Sequence, residues 1–236
     1  MTHLKKSIIS ITLLLILSIL VAAMSGCGGD TPESTAPITT DIITFQGIPW
    51  NITPEELEST YLNGKKLTEE PPYMQHWDRQ LYSAKNIRVY GEKTTVIFEF
   101  LSYEEGANGL NNIYVLFPEG TDAQAIREKL TADYGEPLLY EKDYGPIPDI
   151  NDHAVWWEGT APVDEFALRA YPTMTEVPET MTGKTATRLQ WVDDINNYLT
   201  IYHYYPDEWC TKYPHDAAII YEGLYVQFLQ FEEANK

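Results

Sequence analysis

Ligand-type side chains are densest in the segment 149–153. Asp149, Asn151, Asp152 and His153 offer oxygen and nitrogen ligands to a cation. A calcium loop of the EF-hand kind needs acids at alternate positions, a central glycine and a glutamate at the twelfth position. This segment has no such glycine and lies next to two prolines, so we interpret it as a turn.

Cys210 has a neighbour that can activate a thiol, because Lys212 lies two residues further along the chain. A nearby ammonium group favours the thiolate form of a cysteine, which is its nucleophilic form. The aromatic residues around it favour a simpler interpretation, a packed cysteine in a loop. The histidines at positions 76, 203 and 215 do not show the paired spacing of a zinc site.

The sequence contains no recognisable nucleophile or nucleotide motif. It has no serine elbow, no P-loop and no glycine pattern for a dinucleotide. Adjacent acids occur at 55–56, 104–105 and 193–194, where helix starts and turns explain them. Two carboxylates that converge only in the folded chain would still suit a hydrolase of the glycosidase kind. We therefore expect no metal, cofactor or catalytic residue, and keep a hydrolase as the alternative.

The charge balance limits the partners. The chain has 236 residues, with 16 Lys and Arg against 35 Asp and Glu, and a formal net charge of −19. The acidic balance argues against nucleic acid as a partner, because binding to its phosphate backbone relies on clustered Lys and Arg. The content of 17 Tyr and 6 Trp supports a well-packed globular core.

The N-terminus has the pattern of a secretory signal. Lys5 and Lys6 precede an apolar run over residues 8–24, and small residues follow it. The run is at the short end of the roughly 17–25 residues that span a bilayer, so an uncleaved anchor is the alternative. Residues 27–41 are rich in Gly, Pro, Ser and Thr and predict a flexible tether.

Met24-Ser25-Gly26-Cys27 resembles the lipobox of bacterial lipoproteins, with Met24 in place of the preferred leucine. The resemblance covers residues 1–27 only. It implies that residues 1–26 are removed and that Cys27 carries acyl chains on its thiol and its new amino terminus. Two chains hold a protein on a bilayer where one gives only marginal binding. We expect the chain to lie on the extracytoplasmic side of the cell membrane, held by this anchor.

The rest of the sequence predicts an α+β fold with antiparallel sheet. Thr53, Pro54 and Glu56 start one helix, and Thr121 is the expected cap of a second helix that ends at Gly135. Apolar alternation predicts strands over 87–90, 94–103, 112–117, 153–158, 165–171, 185–192, 198–205 and 224–231. The order indicates two helix-plus-sheet units, 42–120 and 121–236, as in a structural duplication.

This order of elements is similar to that of secreted β-lactamase-inhibitor-like proteins and of the small outer-membrane assembly lipoproteins that share it. The similarity rests on unit order over residues 45–205, without a specific motif. It implies a protein-binding role.

Alternation along the strands places Tyr and Arg together on one face of each predicted sheet. These residue types give large contact area with a polar end and dominate binding hot spots. The simpler interpretation is the solvent face that antiparallel sheets commonly have. The candidate binding residues are Arg88, Tyr90, Tyr114, Arg169, Arg188, Gln190, Tyr202 and Tyr204.

Three functions remain open at this point. The first is a lipid-anchored binding module that holds a protein, peptide or glycan on these faces. The second is an extracytoplasmic hydrolase, and the third is a structural envelope lipoprotein without a ligand site.

Replacing the lipidated cysteine tests the anchor. Cys27→Ala should abolish incorporation of radiolabelled palmitate, because the variant has no thiol at the processing site. The measurement is labelling of the expressed full chain in a bacterial host that processes lipoproteins. Equal labelling of variant and parent would contradict the lipoprotein assignment.

Overall fold

The structure is a computed structural model that describes residues 41–71, 79–101, 109–140, 150–163, 184–193 and 211–223. The strands are β1 (Thr68–Glu70), β2 (Arg79–Val89), β3 (Glu92–Leu101), β4 (Gly109–Pro118), β5 (Ala154–Glu158), β6 (Thr187–Asp193) and β7 (His215–Gly223). The helices are α1 (Pro54–Glu56), which continues as a π-helical turn over Leu57–Tyr61, α2 (Ala123–Tyr134) and α3 (Ile150–His153).

The described strands form one antiparallel sheet in the order β1-β2-β3-β4-β7-β6-β5. This confirms the α+β class and the strands expected near 87–117, 153–158 and 185–192. The expected strands 165–171, 198–205 and 224–231 lie outside the described residues. Strands β1 and β7 were not predicted. One sheet holds strands from both expected units, and the duplication stays a prediction.

The helix starts follow local capping chemistry. Thr53 caps α1 as expected: its hydroxyl accepts from the Glu56 amide, and the Glu56 carboxylate accepts from the Thr53 amide. The expected cap of α2 is wrong by one residue. Asp122, not Thr121, accepts a hydrogen bond from the Ala125 amide at 3.0 Å. A carboxylate at this position also benefits from the helix dipole, which explains the preference.

One face of the sheet, here the first face, packs against α2 and the segment 43–52. The ring of Phe45 lies 5.4 Å from that of Tyr221 and 6.4 Å from that of Phe98. Ile126 and Leu130 of α2 are buried against the same core. The apolar side chains that alternate along the strands with the Tyr and Arg face form part of this core, and those in the described ranges are buried: Ile87, Val89, Val96, Phe98, Phe100, Ile113, Val115, Phe117, Leu189 and Trp191.

The central part of the opposite face, here the second face, is buried as well, which corrects the expectation of an open face. Tyr114 is 4% exposed and Gln190 is 3% exposed. They alternate along their strands with residues of the first core, and apolar side chains such as Ile97 and Ile220 share their face. Strands that are apolar on both sides are typical of a sheet with two covered faces.

A buried carboxylate joins distant parts of the chain on the second face. Glu70, at the end of β1, has a fully buried side chain. Its oxygens accept hydrogen bonds from the Ser83 hydroxyl at 2.6 Å, from the Lys212 ammonium at 2.5 Å and from the Tyr213 hydroxyl. Burial alone would raise the pKa of Glu70, but these hydrogen bonds together hold it below the ordinary 4.5.

Removing the observed cap should destabilise the fold, and removing the expected one should not. Asp122→Ala should cost about 1 kcal/mol in the free energy of unfolding, the usual loss for a helix cap. Thr121→Ala is the matched control, because its buried hydroxyl has no hydrogen-bond partner among the described residues. Urea unfolding followed by circular dichroism measures both. A larger loss for Thr121→Ala would show that the helix starts one residue earlier.

The contribution of Glu70 to stability should vanish in acid. Folding lowers the pKa of Glu70, so its ionised carboxylate stabilises the fold at any pH above the pKa of the unfolded state. This stabilisation is lost as the pH falls through the lower pKa of the folded state. Glu70→Gln should therefore be less stable than the parent at neutral pH, with a difference that shrinks below pH 4.5. Urea midpoints across this range measure it, with exposed Glu69→Gln as the control. A difference independent of pH would contradict the assignment.

Candidate functional site

A row of polar side chains crosses five strands of the second face. Glu99, Asn112, Glu222, Arg188 and Glu158 occupy successive cross-strand positions on β3, β4, β7, β6 and β5. Side chains at such positions have their Cβ atoms about 4.5–5.5 Å apart. We call these five residues the polar row. Its two ends differ in their exposure and in their hydrogen bonding.

The Glu99 end of the polar row is closed. Glu99 is fully buried and its oxygens accept from Arg79 Nη1 at 3.0 Å, from Asn112 Nδ2 at 3.1 Å and from the Tyr114 hydroxyl at 3.3 Å. A bulge in β4 directs Asn111 to the same carboxylate. A buried charge is stable only with such partners. The hydroxyl of Tyr114, an expected binding residue, therefore holds a buried group.

The Arg188 end of the polar row is partly open. Arg188 Nε donates to Glu222 Oε2 at 2.5 Å, and Gln190 Nε2 donates to the same oxygen at 2.6 Å. The Arg188 side chain is 31% exposed. Burial alone would lower the pKa of Arg188, but the Glu222 carboxylate raises it, so the guanidinium stays charged. Its terminal nitrogens make no hydrogen bond within the described part of the chain.

Aromatic side chains lie beside this guanidinium. Trp156 is the cross-strand neighbour of Gln190 on β5 and therefore shares its face. The ring of Tyr140 meets that of Trp156 edge-on, with centroids 4.4 Å apart. The Trp156 indole nitrogen is buried and, within the described ranges, has no acceptor. We call Arg188, Gln190, Glu222, Glu158, Trp156 and Tyr140 the Arg188 site.

The edge of the sheet next to the site exposes apolar surface. Leu138 pairs with Trp156 through two backbone hydrogen bonds, of 2.7 and 3.3 Å. Leu138 is 46% exposed and Leu139 is 56% exposed. Asn151 holds this segment in place, because its amide both accepts from and donates to the backbone of Tyr140. Asn151, which was expected in a turn, thus fixes the backbone of Tyr140 and with it the Tyr140–Trp156 ring contact.

The structure brings together only part of the expected binding set. Arg188 and Gln190 lie side by side, whereas Arg88 is exposed at the opposite end of the sheet. The placement of Tyr90 on the second face is wrong: it sits in the β2–β3 turn with φ of 51° and donates to Asp133 of α2 at 2.7 Å. The turn rotates it to the helix side. Arg169, Tyr202 and Tyr204 lie outside the described residues, as do His76, Asp149, His203 and Cys210.

The described histidines are engaged in local contacts. His153 Nδ1 lies 2.7 Å from a carboxylate oxygen of Asp193. His215 is buried, and burial lowers its pKa, so its imidazole is neutral at neutral pH. Its Nδ1 atom lies 2.6 Å from the Tyr213 carbonyl oxygen, which places the proton on Nδ1.

Glu222, Glu158, Trp156 and Tyr140 were not predicted as site residues. Trp156 could have been found from its neighbour on β5. Trp157 belongs to the first core, and adjacent residues of a strand point to opposite faces, so Trp156 must lie on the second face. The signal for Glu222 is an acid at the end of the apolar run that forms β7. The residues of β7 are apolar on both faces of the sheet, so the sequence does not alternate between polar and apolar residues there and gave no strand prediction.

Among the described residues, no three His, Cys, Asp or Glu side chains are grouped so as to hold a metal ion. In the same part of the chain, no helix has the length and apolar character needed to cross a bilayer. Comparisons with protein-family models, curated proteins and solved structures find no match to this chain.

Proposed function

We propose that this chain is a lipid-anchored, extracytoplasmic binding module that holds a protein, peptide or glycan at the Arg188 site. The lipobox ending at Cys27 supports the anchor and the extracytoplasmic location. The orientation of the Arg188 guanidinium supports the binding role. One of its nitrogens is fixed by Glu222, while its terminal nitrogens make no hydrogen bond in the described part of the chain.

This arrangement suits binding because the guanidinium is already oriented. Gln190 and Arg188 donate to the same oxygen of Glu222, so that carboxylate is held from two sides. A side chain ordered before association loses little further freedom when a ligand arrives. Arginine with neighbouring tryptophan and tyrosine is also the composition enriched in binding hot spots.

The charges of the site favour a ligand that offers both donors and acceptors. The partly exposed Arg188 supplies donors, whereas Glu158 is exposed and supplies acceptors. Glycan hydroxyls and peptide amide groups carry both kinds of group. Leu138 and Leu139 add exposed apolar surface beside them. Arg188 lies between Glu158 and Glu222, so these groups together do not favour a simple anion.

The hydrolase remains the second candidate, favoured by the carboxylates of the polar row. Glu222 and Glu158 flank Arg188 on either side, which places their strands two spacings, or about 9.6 Å, apart. Inverting glycosidases place their two carboxyl groups about 6.5–9.5 Å apart. Binding is the better account, because Glu222 is engaged by both Arg188 and Gln190.

The finer domain organisation is proposed on the same basis. A tether over 27–41 precedes two helix-plus-sheet units, 42–120 and 121–236. The order of elements supports this division, since α1 precedes β1–β4 and α2 precedes β5–β7. The small lipoproteins and inhibitor-like proteins that this order resembles are binding proteins, in keeping with the proposed role.

Arg188→Lys should weaken ligand capture while leaving the fold intact. Lysine keeps the positive charge beside Glu222 but lacks the planar guanidinium group. It therefore cannot donate to Glu222 and to a ligand at the same time in the way that arginine can. We expect a loss of about 2 kcal/mol in binding, the size typical of a hot-spot residue. The full chain in neutral detergent is applied to glycan and synthetic-peptide arrays, and the affinities of the positive compounds are then measured with each variant.

Lys184→Gln is the matched control, because Lys184 is an exposed cation shortly before β6. It should bind like the parent. Unchanged affinity for Arg188→Lys, with a native melting curve, would contradict the site. The absence of any captured compound would favour a structural lipoprotein, and cleavage of an arrayed glycan would favour the hydrolase.

A further inference from the structure

Three exposed basic side chains gather on the second face at the hairpin that joins β2 and β3. Lys85 and Arg88 belong to β2, and Lys93 belongs to β3. Arg88 and Lys93 are direct cross-strand partners, and Lys85 lies opposite Thr95. We call Lys85, Arg88 and Lys93 the basic stripe. It lies at the end of the sheet opposite to the Arg188 site.

A bulge places these cations on one face. Ala84 and Ile87 both pack into the first core although they are three residues apart. The register shifts between Lys85 and Ile87, and Asn86 has a positive φ of 58°. Without the bulge, Lys85 and Arg88 would point to opposite faces. Bulges commonly redirect side chains in this way, at sheet edges and beside functional sites.

The basic stripe has no ion-pair partner in the described chain, although the Lys85 ammonium lies 5.2 Å from the centroid of the Tyr213 ring. Four other described cations form ion pairs, among them Lys66 with Glu58 at 2.8 Å and Lys212 with Glu70 at 2.5 Å, whereas others such as the exposed Lys184 do not. None of the described acids forms an ion pair with the three cations of the stripe, although the chain has 35 acids. The nearby Glu92 lies opposite Val89, which belongs to the first core.

The pairing of Arg88 with Lys93 costs stability, because like charges directly opposite each other repel. Protection of the sheet edge explains Lys85 and the bulge, since charged side chains and bulges discourage the addition of foreign strands. It does not explain why a second cation, Lys93, stands directly opposite Arg88, at a point just before the pairing of β3 with β4 begins at Thr95. A partner that neutralises both cations accounts for the pair.

We propose that the basic stripe binds a free linear ligand with two or more phosphate groups. The Cβ atoms of such a cross-strand pair lie about 5 Å apart, so the side chains of Arg88 and Lys93 can both reach the negatively charged oxygens of one phosphate group. Guanidinium groups bind phosphate through two parallel hydrogen bonds. Lys85 lies further along the same face and contacts a second phosphate.

Two other occupants fit less well. A peptide strand cannot extend the sheet here, because the bulge interrupts the edge and Gln46 Nε2 already donates to the Arg88 carbonyl at 2.9 Å. A flat anionic bilayer would approach the acidic remainder of the chain together with the stripe. A narrow ligand that contacts only the basic stripe stays further from the acidic side chains. At physiological salt, repulsion between charges is largely screened beyond about 8 Å.

Two triple variants of equal net charge test the site. The first is Lys85→Gln with Arg88→Gln and Lys93→Gln. The control is Lys65→Gln with Lys66→Gln and Lys184→Gln, all outside the stripe. The full chain in neutral detergent is titrated with long-chain inorganic polyphosphate by calorimetry. The first variant should lose at least about tenfold in affinity, and the control should stay within about twofold of the parent. Circular dichroism melts confirm that both fold.

Several outcomes would overturn the proposal. Equal losses in the two variants would show that net charge alone attracts the polymer, and no binding by the parent would remove the site. Poly-L-glutamate bound as tightly as polyphosphate would reject phosphate recognition in favour of an acidic peptide. Tighter binding of dihexanoylphosphatidylglycerol than of polyphosphate would make a lipid headgroup the source of the phosphate.

Discussion

The enclosure of the first face and of the central part of the second face of the sheet is the constraint on which the rest of the structure depends. A polar side chain on a covered face loses its water, so it needs a partner within the sheet or from a packed segment. Glu99, Glu70 and Glu222 each meet this requirement with two or more hydrogen-bond donors. The sheet register supplies these donors, because cross-strand positions bring Asn112 to Glu99 and Arg188 to Glu222.

Local chemistry made much of the fold predictable. The cap at Thr53, the position of α2 to within a turn and the apolar side chains of the first face all follow from neighbours within a few residues. The second face was not predictable in this way. Tyr114 and Gln190 are residue types that suit solvent as well as a buried network. What buries them depends on contacts between segments far apart, such as the 143 positions that separate Glu70 from Tyr213.

The candidate site shows the same division. Alternation along β6 correctly placed Arg188 and Gln190 on one face, because the period of a strand is a local property. The partner that orients them, Glu222, comes from β7, whose apolar run concealed its alternation. The turn at Tyr90 and the bulge at Asn86 each change the direction of side chains by one position. Such single-residue irregularities leave little trace in the composition of a strand.

The place of β7 in the sheet also bears on how the chain folds. It is the last described strand in the sequence, yet it lies between β4 and β6 and joins the first four strands to the remaining two. A chain synthesised from its N-terminus therefore presents an unpaired edge of β4 until residue 223 is available. The strand order thus makes closure of the sheet depend on residues 215–223, about a hundred positions after the strand that they complete.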